Sequence, residues 1–159
     1  MSAVADLSDD GLPDLVVVNA DEDTYSVFLN KGPTGGLPWT NVGYGLAGTD
    51  GVPCLAATGT LQAGSSGLLS LKHAAPSAPC LLFIAPAIVP TPFKCGTLVP
   101  DPEGLKRVLV TTAVGDVDLS WASLPGGLSG VAFELQYAVL DAAAACGVSL
   151  SNALKGTIP

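Results

Sequence analysis

The residues best suited to chemistry lie near the start of the chain. The run DLSDDGLPD at 6–14 sets Asp6, Ser8, Asp10 and Asp14 at positions 1, 3, 5 and 9 of a loop, with Gly11 at position 6. In a tight loop alternate side chains turn inward, and a glycine at the sixth position permits the reversal, so this spacing wraps a hard cation in oxygen ligands. The backbone carbonyl of Leu12, at position 7, completes the shell. Four carboxylates in nine residues repel one another, and calcium supplies the opposing charge. Magnesium fits less well, because it demands a tighter octahedron and keeps its waters. An EF-hand is excluded: no helical pattern flanks the loop, and its position 12 is Val17 rather than Glu. Ser8 is a weaker ligand than Asn or Asp, so the expected affinity is that of an extracellular module, about 10⁻⁴ to 10⁻³ M. The plain alternative is a solvated acidic turn, since Asp and Gly are common turn residues.

Other candidate groups are sparse. His73 is the only histidine, in LKHAA, and no GxSxG elbow accompanies it; the GSSG at 64–67 lacks the spacing. It reads as a surface residue at a strand end. Outside 1–31 the carboxylates are Asp50, Asp101, Glu103, Asp116, Asp118, Glu134 and Asp141. Glu134 stands mid-strand among apolar neighbours and is expected on the solvent face. The glycine-rich stretch 32–51 has neither GxGxxG nor a Walker lysine, so it is no phosphate cradle. Trp121 is in phase with Val117 and Leu119 and reads as core, whereas Trp39, in a loop, is free to stack on a sugar ring. Lys106-Arg107 is too short a basic patch to bind nucleic acid. Cys54, Cys80, Cys95 and Cys146 contain no CxxC pair, so they are either buried thiols or two disulfides.

These residues need a scaffold, and the composition restricts it. The chain has 159 residues, 48% of them apolar and only 13% charged, with 19 glycines and 13 prolines. Disorder is excluded by the hydrophobicity, and a helical bundle by the breakers. An all-β protein of short strands remains. Fourteen acidic residues against six basic give a net charge of −8, which excludes nucleic acid and anionic membrane as partners. No run approaches the eighteen or so apolar residues of a membrane helix, and MSAVADLSDD has neither the basic nor the apolar region of a signal peptide.

Three zones follow. Residues 1–31 hold seven of the fourteen carboxylates. Strand-like runs at 15–18 and 25–29, joined by the polar turn 19–23, read as a hairpin. Residues 32–53, rich in Gly and Pro, read as a connector. From 54 to 159 the period is near two. The sequence predicts strands at 55–61, 69–72, 79–85, 95–99, 108–113, 117–121, 131–139 and 148–152, an eight-stranded antiparallel β-sandwich. The sole helical candidate, 141–145, is barely one turn.

With those residues in view, AVADLSDDGLPDLVVVNADEDTYSVFLNKG at 3–32 resembles one FG-GAP/VCBS repeat, the calcium-loop blade unit of integrin-type β-propellers. The match to D-x-N-x-D-G-x-x-D departs at Ser8. The resemblance implies a calcium ligand set of Asp6, Ser8, Asp10, the Leu12 carbonyl and Asp14. The phrases GYGLAGTDGVPCL, ATGTL, APSAPCLLF, PFKCGTLVP and LQYAVLDAAAACGVSLSNAL resemble the C-terminal β-sandwich domain that follows FG-GAP repeats in large secreted bacterial proteins. A secreted or cell-surface location is implied, and with it disulfides. Pairing Cys80 with Cys95, which flank a hairpin-like unit, leaves Cys54 for Cys146. One blade cannot close a propeller, so the chain is expected to be the tail of a longer protein.

The expected role is a non-enzymatic, calcium-stabilised structural or adhesive extracellular module that assembles with itself, as an oligomer or filament, by β-strand addition. A carbohydrate-binding module using Trp39 is the alternative, with an extracellular glycan or protein as partner. A hydrolase with an unrecognised site is the third reading.

Overall fold

The computed structural model describes residues 2–5, 7, 13–19, 24–29, 38–86 and 88–159. Among them there is no helix, and fourteen strands form four antiparallel sheets. The expected helical turn at 141–145 is a hydrogen-bonded turn, with Ala144 N–H donating to Asp141 O at 3.1 Å. So short a segment cannot offset the cost of helix nucleation.

The first sheet is a meander of β1 (Ser2–Ala5), β2 (Asp14–Asn19) and β3 (Thr24–Phe28). The hairpin expected from the two Val- and Tyr-containing runs is β2–β3, with Asn19 opposite Thr24. Asn19 Nδ2 donates to Thr24 Oγ1 and Ser26 Oγ across the turn. β1 pairs with the other edge of β2 and was not evident in the four residues SAVA.

The largest sheet runs β10 (Leu105–Val110), β7 (Pro79–Ala85), β12 (Ala132–Leu140), β14 (Ala153–Thr157) and β4 (Trp39–Gly43), with β13 (Val148–Leu150) beside the far end of β12. A three-stranded sheet, β11 (Val117–Trp121), β6 (Gly67–Lys72) and β5 (Cys54–Thr58), shares its core. Leu55, Leu69, Leu71 and Val117 from the small sheet pack with Leu82, Leu135, Tyr137, Val139 and Leu154 from the large one. Burying each of these side chains contributes about 1.5–3 kcal/mol. The alternation read from the sequence puts these residues on one face, and the structure places them there.

The opposite face of β12 departs from expectation. Glu134 is expected on the solvent face, yet it is buried, and so are Gln136 and Ala138 on the same side of the strand. A fourth sheet covers Gln136 and Ala138: the hairpin of β8 (Ile88–Phe93) and β9 (Gly96–Pro100), whose Leu98 and Phe93 pack with Phe83, Ala138 and Leu150 and whose Val99 N–H reaches Gln136. β8, sequence IVPTPF, is obscured by two prolines, which its place at a sheet edge tolerates because its one partner is β9.

Two buried amide side chains join these layers by imitating a strand. Gln136 Oε1 accepts from Val99 N–H at 2.8 Å while its Nε2 donates to Thr97 O at 3.2 Å and Ser151 O at 2.9 Å. Asn152 Oδ1 accepts from Leu55 N–H at 2.7 Å while its Nδ2 donates to Leu55 O at 2.9 Å. Each amide offers one donor and one acceptor to a strand edge, as a neighbouring peptide group does, so buried backbone groups are satisfied without another strand. Ser151, between β13 and β14, fills the same need for β12, its Oγ accepting from Tyr137 N–H.

The described part of the expected connector is ordered by packing. β4 forms an edge of the large sheet, and Leu46 forms a two-way bridge with Leu150. Beyond it Asp141 holds Thr49 by both its N–H and its hydroxyl, at 2.6 Å each. Gly48 is required here, because a Cβ would overlap the Asp141 carboxylate.

Candidate functional site

β1 and β2 pair antiparallel from Ser2 opposite Val17 to Ala5 opposite Asp14, and in the sequence the aspartate run separates these two strands. The run of β-formers from Leu15 continues β2. Asp14, the first residue of β2, is fully buried, and its Oδ2 accepts a hydrogen bond from Leu7 N–H at 2.8 Å. Of the expected ligand set Asp14 is described; Asp6, Ser8, Asp10 and Leu12 lie outside the described residues. Among the described residues no three His, Cys, Asp or Glu side chains gather into a metal-binding group.

The remaining candidates are dispersed. His73 is exposed directly after β6, with a left-handed φ of 58°. Trp39 is not a loop residue but the first residue of β4, half-buried against the core. Its ring lies 6.2 Å from that of Trp121 and meets Phe133 edge-on at 5.7 Å, while Nε1–H donates to Gly59 O at 3.0 Å. A sugar platform needs an unoccupied ring face, and this ring is committed to packing. Trp121 belongs to the same aromatic cluster, as its phase in β11 predicted.

The cysteines pair differently from expectation. Cys95 is bonded to Cys146, with Cα atoms 5.8 Å apart, whereas Cys54 and Cys80 carry thiols. Cys95 occupies the β8–β9 turn, where it and Lys94 both have left-handed φ, and Cys146 lies in the loop after β12. The folding of the β8–β9 hairpin over the large sheet brings these loops together. Cys80 faces the core from β7, and burial pushes its thiol pKa up to about 11, which leaves it protonated and inert at neutral pH.

Three ionisable groups have unusual surroundings. Burial raises the pKa of Glu134, opposed only in part by the positive charge of Lys155, and its Oε2 has no hydrogen-bond partner. The Tyr137 hydroxyl is likewise buried and unpartnered, and burial raises its pKa. Burial would raise Asp141 as well, but the hydrogen bonds from Thr49 and from the N–H groups of Ala143 and Ala144 outweigh it and hold the pKa low. Glu134 and Tyr137 point to opposite faces of β12, so they do not form an acid–base pair.

An apolar groove of about 280 Å³ crosses the large sheet beside the β8–β9 hairpin, lined by Leu81, Phe93, Val108, Ala138, Leu140 and Val148 among others. It was not legible in the sequence, because its walls come from five strands. No protein-family model, curated protein or solved structure matches the chain.

Proposed function

We propose that the chain is a non-enzymatic, extracellular structural or adhesive module of the FG-GAP/VCBS type. In this reading calcium rigidifies the 6–14 loop, the part from β4 onward is a β-sandwich, and copies associate by β-strand addition. The observation that carries the proposal is the β1–β3 meander. Val4, Val18, Tyr25, Val27 and Phe28 on its three strands are exposed, and no residue of the meander belongs to either hydrophobic core. Three short strands exposing their apolar side chains need further packing to be stable, and an edge such as β3 accepts another strand readily.

The aspartate loop joins β1 to β2 within this meander, which supports a role for the cation in holding it. Asp6, Ser8, Asp10, the Leu12 carbonyl and Asp14 would bind it, and the ion would neutralise the clustered carboxylates. The Cys95–Cys146 bond supports an oxidising, extracellular compartment.

The test is size-exclusion chromatography with light scattering, in calcium and then in EGTA, with Asp14→Asn beside the wild type. Calcium-dependent oligomers that Asp14→Asn abolishes are expected. A monomer under every condition refutes the assembly reading. Thermal melts test calcium separately: at 10 mM ion and the affinity expected of an extracellular loop, linkage gives about 1.4–2.7 kcal/mol of stabilisation. No shift in melting refutes the calcium site.

A further inference from the structure

The β8–β9 hairpin is attached to the rest of the molecule as a flap. It is a sheet of two strands, and no ladder joins it to another sheet among the described residues. A two-stranded hairpin alone is marginally stable at best, so this one depends on what it rests upon. β9 supplies most of that contact: Leu98 and Val99 are buried, and Leu98 packs with Phe83, Ala138 and Leu150. β8 adds the half-buried Phe93, while its Ile88 and Val89 are exposed. Val99 N–H and Thr97 O both bond to one side chain, Gln136. No residue of 88–100 belongs to the larger core between the two main sheets.

The chain enters and leaves the flap at one end, from β7, which stops at Ala85, and into β10, which starts at Leu105. The other end is the turn of Lys94 and Cys95 between Phe93 and Gly96, and there Cys95 is bonded to Cys146. Gly96 lies so close on Leu150 that a Cβ would come within 2.7 Å of its Cδ1. The covalent bond therefore fastens the tip of the hairpin, far from its two connections, and seats it on the smaller apolar cluster. Cys95 and Cys146 are both exposed, whereas Cys80 is buried. A dissolved dithiol can reach such a bond, and exposed disulfides are the labile ones.

We propose that Cys95–Cys146 is a redox latch: closed, it holds the flap over Phe83, Gln136, Ala138 and Leu150, and reduction by a dithiol releases the flap while the two main sheets stand. One thiolate of the dithiol attacks one cysteine sulfur and displaces the other cysteine as its thiolate. The second thiol of the reductant then attacks its own sulfur in the mixed disulfide and frees the first cysteine. Two electrons pass to the protein, the reductant leaves as a disulfide, and its two protons end on Cys95 and Cys146. Phe93 on the flap and Val148, two residues beyond Cys146, both line the apolar groove, so release also opens that groove. Local opening of this kind is expected of a segment with few buried contacts of its own. The latch does not rest on the assembly reading.

The experiment is hydrogen exchange with mass spectrometry on the full chain, oxidised and in dithiothreitol, with iodoacetamide mapping of thiols. Under native conditions Cys95 and Cys146 should become alkylated while Cys80 stays protected. Residues 88–100 should lose exchange protection while β7, β12 and β14 keep theirs, and reoxidation should restore the flap. Cys95→Ser with Cys146→Ser should exchange like the reduced wild type with no reductant present. Three results overturn the proposal: both cysteines freed with 88–100 still protected, protection lost from β7 and β12 together with the hairpin, or no reduction until the protein is denatured.

Discussion

Replacing Asn152 by alanine should weaken the fold through one identifiable seam. Asn152 is 4% exposed and spans from the large sheet to β5, holding the N–H and C=O of Leu55 on the side away from β6. Truncation leaves both groups buried without partners, at about 1–3 kcal/mol each. A third bond, from Nδ2 to Asn41 Oδ1 at 3.1 Å, is lost at an exposed residue and contributes little. The expected loss is therefore about 2–6 kcal/mol, and at about 2–4 °C per kcal/mol for a chain of this size a central loss of about 4 kcal/mol lowers the melting temperature by about 8–16 °C. Urea unfolding followed by tryptophan fluorescence is the suitable assay, because Trp39 and Trp121 both report on the shared core. Asn41→Ala is the control and should stay within about 0.5 kcal/mol of wild type. Asn152→Asp keeps an acceptor for Leu55 N–H but turns a second acceptor toward Leu55 O, so it should also destabilise at pH 7 and recover in part as acid protonates it. If Asn152→Ala costs under 1 kcal/mol, or no more than Asn41→Ala, the strand-imitating role is refuted.

Glu134 governs a separate pH window. Its folded pKa lies above the ordinary glutamate value, so the unfolded chain ionises first and the native state loses stability as pH rises above that value. Glu134→Gln should raise stability at pH 7 and flatten the curve there, whereas Asp141, with its pKa held low, accounts for stability lost only at more acid pH; denaturant titrations from pH 3 to 8 separate the two. Tyr137→Phe removes a buried hydroxyl without a partner and should be neutral or stabilising by up to about 1 kcal/mol, read by thermal melting; a loss above 1 kcal/mol would show that the hydroxyl is hydrogen-bonded after all. Peptide mapping without reduction should recover Cys95 linked to Cys146, with Cys80 resisting iodoacetamide at pH 8 until the protein unfolds. Removing that bond by a double Cys→Ser change, which opens a link across 51 residues of sequence, should cost about 4 kcal/mol on the chain-entropy model.

Much of this architecture is written in local patterns. Period-two alternation located β6, β11 and the body of β12, and it put Leu69, Leu71, Val117, Leu135, Tyr137 and Val139 on the inward side, because facing inward on a strand is a property of nearest neighbours in sequence. The aspartate spacing pointed to 6–14, of which Asp14 is the first residue of β2 and accepts a hydrogen bond from Leu7 N–H. What failed locally was whatever depended on a second layer. Gln136 and Ala138 look like the wet face of a strand until the β8–β9 hairpin covers them. Trp39 looks mobile among glycines and prolines until β14 pairs with its strand and Trp121 and Phe133 meet its ring.

The sequence alone thus determined the all-β fold class and the direction in which most strands face. Tertiary structure decided which loops meet, hence that Cys95 bonds to Cys146, and which strand edges are sealed by an amide and which remain open. The division has a physical cause. Alternation and loop spacing are set over a few residues, whereas contacts such as Thr49 with Asp141 or Leu55 with Asn152 join positions more than ninety apart, and no local pattern marks where the chain will return.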